Sequence, residues 1–133
     1  MPLRIVRLGT PRVRGEGLRL GTVRRPPRGV RKDEIASRDF YDVWLPELAP
    51  SQALVSWILS QPITEQRWAT FARKYRAEMK PARRTIELLA ALSHQTNFAV
   101  GCYCDDEAHC HRSLLRELFR EAGAAIADSG TRR

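Results

Sequence analysis

The run Phe98-Ala99-Val100-Gly101-Cys102-Tyr103-Cys104 constrains the fold more than any other stretch. It is short, apolar and uncharged, the pattern of a strand buried on both faces. Such a strand needs partners at both edges and a layer over each face. The stretch after it, from about Cys110 to Ala122, has helical spacing: Leu114, Leu118 and Ala122 form one row, Leu115 and Phe119 the next. Arg116, Glu117, Arg120 and Glu121 fall on the opposite side. A buried strand feeding an amphipathic helix is an α/β unit.

The rest of the chain supplies the other layers. Leu3 to Leu8 reads as a strand, stopped by Gly9-Thr10-Pro11. A second strand, Leu18 to Val23, is entered through Gly15-Glu16-Gly17. Arg24-Arg25-Pro26-Pro27-Arg28-Gly29 is a loop, because two prolines and a glycine exclude helix and central strand. Lys32 to Ile35 fits one helical turn, and Phe40 to Leu45 a strand or extended segment closed by Pro46 and Pro50. Three helices follow. Ser51 is a cap for one that runs to about Ser60. Thr64 caps the next, which carries Trp68, Phe71, Ala72, Tyr75 and Met79. Pro81 opens the third, with Ile86, Leu89, Ala90 and Ser93 facing inward. Trp57, Trp68 and Tyr75 are expected in the core, and Trp44 with them; His94 is expected as a dipole partner at the end of the third helix. We therefore expect one α/β domain over residues 1–123, a small, mainly parallel sheet flanked by helices, and a flexible tail over 124–133.

Composition excludes several classes. At 133 residues and 43% hydrophobic content the chain can bury a real core. No apolar run approaches the length of a membrane span, and the N-terminus lacks the apolar core of a secretory signal. Three cysteines, an odd number, argue against a disulfide framework and for a reducing, cytoplasmic setting. The net charge of +8 is concentrated: residues 1–32 hold ten Lys or Arg and one acid, whereas the remainder is close to neutral. A positive field of that kind attracts nucleic acid, nucleotide phosphates or an acidic partner, or else is a solvated basic face. No Phe, Tyr or Trp lies in residues 1–32, so stacking on single-stranded bases is disfavoured and phosphate contact remains.

The chemistry concentrates in Cys102 to Arg112, which holds every cysteine and two of the three histidines. It spans the turn from the buried strand to the last helix, where open α/β sheets bind ligands. Three readings stand side by side. Cys110 is a nucleophile or anion contact, His111 an acid or base and Arg112 a phosphate clamp. Alternatively, Cys102, Cys104, His109, Cys110 and His111 supply a zinc site, although their spacing is not that of a common zinc motif. In the third, Cys102 is a small core residue. Asp105, Asp106 and Glu107 crowd the same turn and oppose an anion unless arginines outweigh them.

Several blocks carry a family resemblance. Gly17-Leu18-Arg19 with Val23 to Lys32 resembles G-x-R-x-L-V-D-R-x-W-P-R-G-x-x-K of the YeaO-like branch of the domain-of-unknown-function family 488. Trp44 to Ser51 is similar to that branch's W-x-K-E-L-A-P-S, and Phe71 to Glu78 to its F-x-x-R-Y-x-x-E-L. The acid and the tryptophan of the first block are absent here, where Arg24-Arg25-Pro26-Pro27 stands. Cys110-His111-Arg112 matches the C-H-R that closes a signature of the wider family. The resemblance implies a small bacterial cytosolic α/β protein without a settled activity or cofactor. It marks Arg25, Arg28, Gly29, Arg73, Tyr75, Cys110, His111 and Arg112 as site candidates. From these we expect the basic loop to fold over the Cys110 bend and close a pocket for a phosphate- or carboxylate-bearing ligand: a nucleotide, a nucleic-acid end or a small anion. A non-catalytic nucleic-acid-binding module built on the basic first quarter is the competing expectation.

Overall fold

A computed structural model describes residues 2–104 and 109–127. Four strands, β1 (Leu3–Arg7), β2 (Leu18–Gly21), β3 (Val43–Trp44) and β4 (Phe98–Cys102), form one sheet in the order β1-β4-β2-β3. Every pairing is parallel. β4 lies between β1 and β2, and all five of its residues are buried, as its uncharged sequence requires. The register sets Cys102 opposite Arg7 and Gly101 opposite Gly21. Gly101 has a steric reason to lack a side chain: a Cβ there would strike the Val6 carbonyl oxygen.

The helices are α1 (Gln52–Leu59), α2 (Glu65–Glu78), α3 (Arg83–Leu92) and α4 (His111–Glu121). Ser51 caps α1 by accepting from the Leu54 amide at 3.2 Å, and Thr64 caps α2 by accepting from Arg67 at 3.1 Å. Pro81 lies in a 3-10 turn, Lys80–Ala82, and α3 proper starts two residues later than proline placement alone predicts. The apolar faces of the helices meet Leu3, Ile5, Leu20, Phe98 and Val100 of the sheet in one core, with Tyr75, Leu115 and Phe119 fully buried at its centre. Each such side chain contributes about 1.5–3 kcal/mol by leaving water. The result is the single α/β layered unit expected, and no helix among the described residues is long and apolar enough to cross a membrane.

Four details differ from the sequence expectation. β3 is only Val43–Trp44 rather than Phe40 to Leu45. Tyr41 is buried over Gly21, and Asp42 accepts from the Arg19 amide through its carboxylate at 2.8 Å while its own amide donates to the Arg19 carbonyl at 2.8 Å. Trp44 is 42% exposed, and its indole donates to the Val23 carbonyl at 2.7 Å. Residues 124–127, assigned above to a tail, run along the outer edge of β1: Leu3 donates to Ala125 and Ala127 donates to Leu3. His94 bonds the Gly123 carbonyl at 2.7 Å rather than a carbonyl of its own helix.

Candidate functional site

A second, smaller apolar cluster joins Leu8, Val23, Cys102 and Cys110, with Ile35 and Tyr41 from the β2–β3 connection. Leu8, Val23 and Cys102 stand at the carboxyl ends of β1, β2 and β4. The cluster therefore sits at the sheet edge where parallel α/β folds place their ligands. Cys110 is the N-cap residue of α4, in extended backbone, and makes no side-chain cap bond. Its thiol turns instead toward Cys102, with 2.6 Å between the two sulfurs. No disulfide joins these cysteines; Cys102 and Cys110 are at most 2% exposed, and Cys104 is exposed.

His111 is held from two sides. Its Nε2 lies 2.7 Å from the Thr22 carbonyl oxygen and 3.3 Å from Thr22 Oγ1. The carbonyl can only accept, so Nε2 carries the proton and Nδ1 is left as the acceptor. Nδ1 faces Cys110 Sγ at 3.8 Å. The Tyr75 ring lies 5.7 Å from the imidazole, and the Tyr75 hydroxyl donates to the Leu48 carbonyl at 2.7 Å. Burial, then the nearby Cys110 and Cys102 sulfurs, push the Tyr75 phenol well above its usual range, so it stays a neutral donor. Hydrogen bonds with Cys104 and Cys110, followed by burial, raise the Cys102 thiol far above an ordinary cysteine. Either sulfur of the Cys102–Cys110 contact can be its donor.

One hydrogen bond ties the basic early loop to the end of β4. The Tyr103 hydroxyl donates to the Arg25 carbonyl at 2.9 Å, and Arg7 Nε donates to the Tyr103 carbonyl at 3.3 Å. Arg112 is 4% exposed and donates to the Cys104 carbonyl at 2.5 Å. The arginine side chains of the loop are not gathered on the thiols. Arg24 donates to the Ala49 and Pro50 carbonyls and Arg25 to Gln52, while Arg28 and Gly29 are exposed. Arg73 is exposed on α2, in a groove of about 920 Å³ lined also by Met79, Lys80, Arg83 and Leu118. That groove shares no lining residue with the cysteine cluster. Asp105, Asp106 and Glu107 lie outside the described residues.

The resembling blocks lock onto one another. Glu78 accepts from the Ser51 amide at 2.8 Å and from the Ser51 hydroxyl at 2.5 Å, and Tyr75 ties the same segment through Leu48. Tyr75 thus acts as a wall behind His111. Thr22 and Tyr103 are the site residues that sequence reasoning passed over. Only their places, one residue past β2 and one past β4, set them apart in the sequence.

A parallel α/β domain with a buried Cys/His cluster at the carboxyl edge of its sheet is the class these features define. A family model described as DUF488-N3a, the active DUF488-N3 subclade, matches residues 3–123. The chain belongs to this family, and the YeaO-like resemblance is compatible with that placement. No curated protein and no solved structure gives a significant match.

Proposed function

We propose that this chain is a thiol-dependent enzyme in which Cys110 is the nucleophile and His111 its base, acting on a substrate that carries a phosphate or carboxylate. The observation that carries this reading is the pinning of His111 Nε2 on the Thr22 carbonyl at 2.7 Å, which aims Nδ1 at Cys110 Sγ. A nucleophile, a base and a third group orienting the base form the arrangement that covalent catalysis uses. In the proposed step Nδ1 takes the thiol proton as sulfur bonds to the electrophilic centre. The same proton then goes to the departing group as its bond breaks, and water or an acceptor hydroxyl releases the product from sulfur. The description of the matched subclade as active agrees with an enzyme.

The anionic substrate is supported by the exposed Arg25 and Arg28 on a loop tied to the bend through Tyr103. A broad nucleic-acid surface is less well supported. Arg19 is buried on Glu16, Arg12 is paired with Asp39 and Asp42, and Arg24 is turned onto carbonyls, so much of the early charge is structural.

Iodoacetamide labelling of Cys110, followed by peptide mapping, tests the nucleophile. His111→Gln is expected to slow labelling by about a hundredfold or more, the range of a general-base contribution. Equal rates in the two proteins overturn the assignment. Inorganic phosphate and a 5′-mononucleotide are expected to raise the melting temperature of the parent and not of a chain carrying Arg25→Ala and Arg28→Ala. No rise with either probe removes the anionic substrate.

A further inference from the structure

Three cysteines of graded exposure stand between the end of β4 and the start of α4. Cys110 and Cys102 are buried with their sulfurs 2.6 Å apart, and the exposed Cys104 follows Cys102 by two residues at the end of β4. Cys102, Cys110 and His111 also bring their ligand atoms within 4.8 Å of one another, so a metal site and a redox pair compete for the same atoms. Distance separates them. Two thiolates on one tetrahedral zinc ion, each about 2.3 Å from the metal, stand about 3.8 Å apart. The Cys102 and Cys110 sulfurs are more than 1 Å closer than that. A disulfide needs them to move the other way, to about 2.05 Å.

We propose that Cys102 and Cys110 form a reversible disulfide, and that oxidising equivalents from a low-molecular-weight disulfide enter at Cys104. The Cys104 thiolate attacks the small disulfide and releases one small thiol, giving a mixed disulfide at the surface. Cys102 then attacks the Cys104 sulfur and expels the second small thiol. Cys110 attacks Cys102, forms the buried disulfide and returns Cys104 to a thiol. In sum, two protein thiols are oxidised, one small disulfide is reduced to two thiols, and the protons of Cys102 and Cys110 end on those products. His111 Nδ1, 3.8 Å from Cys110, is positioned to carry them outward.

Two features give the relay its direction. Cys102 and Cys104 are separated by one residue at the end of a strand, where α-carbons two apart are about 6.5 Å from each other. That is at the long limit for a disulfide, so the Cys102–Cys104 bond is a transient. Cys110 Sγ also lies 2.6 Å from Cys102 Sγ, so Cys102 is the sulfur it reaches and Cys104 the one it displaces. The consequence for activity, that the disulfide silences Cys110, rests on the nucleophile reading above; the exchange itself does not.

Glutathione disulfide applied to the folded chain tests the relay. The expected product is a chain lighter by two hydrogens, without adduct, in which peptide mapping joins Cys102 to Cys110. Cys104→Ser, at an exposed position, is expected to slow this by about tenfold or more, because the buried pair loses its port. Cys102→Ala is expected to stop at a glutathione adduct on Cys104. A lasting adduct on Cys104 in the parent, a Cys102–Cys104 end product, or a zinc ion retained in native mass spectrometry each overturns the proposal. The two readings fail separately. If the disulfide forms while His111→Gln leaves Cys110 labelling unchanged, the redox pair stands and the nucleophile falls. Fast, His111-dependent labelling without any disulfide gives the reverse.

Discussion

Removing the Tyr75 hydroxyl separates a supporting role from a ligand-binding one. Tyr75 is fully buried, and its hydroxyl donates to the Leu48 carbonyl at 2.7 Å. Tyr75→Phe keeps the ring against Phe71, at 6.3 Å, and against His111, at 5.7 Å, and takes away only that donor. A buried carbonyl left without its partner costs about 1–3 kcal/mol. The substitution adds no cavity, so the lower half of that range, about 1–2 kcal/mol, is expected. For a chain of this size that corresponds to roughly 3–8 °C in melting temperature. Urea unfolding followed by circular dichroism measures it, and an unchanged slope confirms that native compactness is unaltered. Cys110 labelling should stay within about twofold of the parent, since the ring still backs His111. Unchanged stability together with lost ligand binding refutes the reasoning, because the hydroxyl then belongs to the ligand and not to Leu48.

Other outcomes follow from the same structure. Glu16→Ala strips the partner from Arg19, whose Nε lies 2.5 Å from the Glu16 carboxylate with both side chains buried. Breaking a buried pair on one side costs about 3–5 kcal/mol, to be read by chemical denaturation; a loss below about 1 kcal/mol contradicts a structural Arg19. Asp42 titrates below its usual range: burial opposes this, but hydrogen bonds from Arg12 and the Arg19 amide prevail. Its contribution to stability is thus in place above the unfolded value, about pH 4, and is lost as pH falls through the lower folded value. Asp42→Asn should lower stability at neutral pH and flatten acid unfolding, and parallel curves for the two proteins argue against the tie. Gly101→Ala drives a methyl into the Val6 carbonyl and should yield little folded protein; normal yield and melting temperature contradict the close β1–β4 approach.

The parts of the fold that sequence revealed are those where one local rule dominates. The uncharged Phe98 to Cys102 run fits a central strand, and Ser51 and Thr64 stand where helix caps are wanted; the structure has all three. The bend at Cys110 was legible because its residue types are rare elsewhere in the chain. What stayed hidden depends on contacts distant in sequence. Arg19 counts as one more positive charge in a list, yet it is 1% exposed and bound to Glu16 and to three carbonyls. Arg12 and Arg24 stay partly or largely exposed but are likewise engaged, Arg12 with Asp42 and Arg24 with the Pro50 carbonyl. β3 shrinks to two residues because Tyr41 fills the space over Gly21, a packing fact without a local signature. Thr22 acts on His111 through a backbone carbonyl, an atom every residue has.

The nitrogen chemical shifts of the His111 imidazole, read by NMR on labelled protein above the titration of the ring, test the core of this account. A proton on Nε2 is predicted, because the Thr22 carbonyl receives it and Cys110 faces the bare Nδ1. A proton on Nδ1 would contradict it, since the imidazole could then not take one from the thiol.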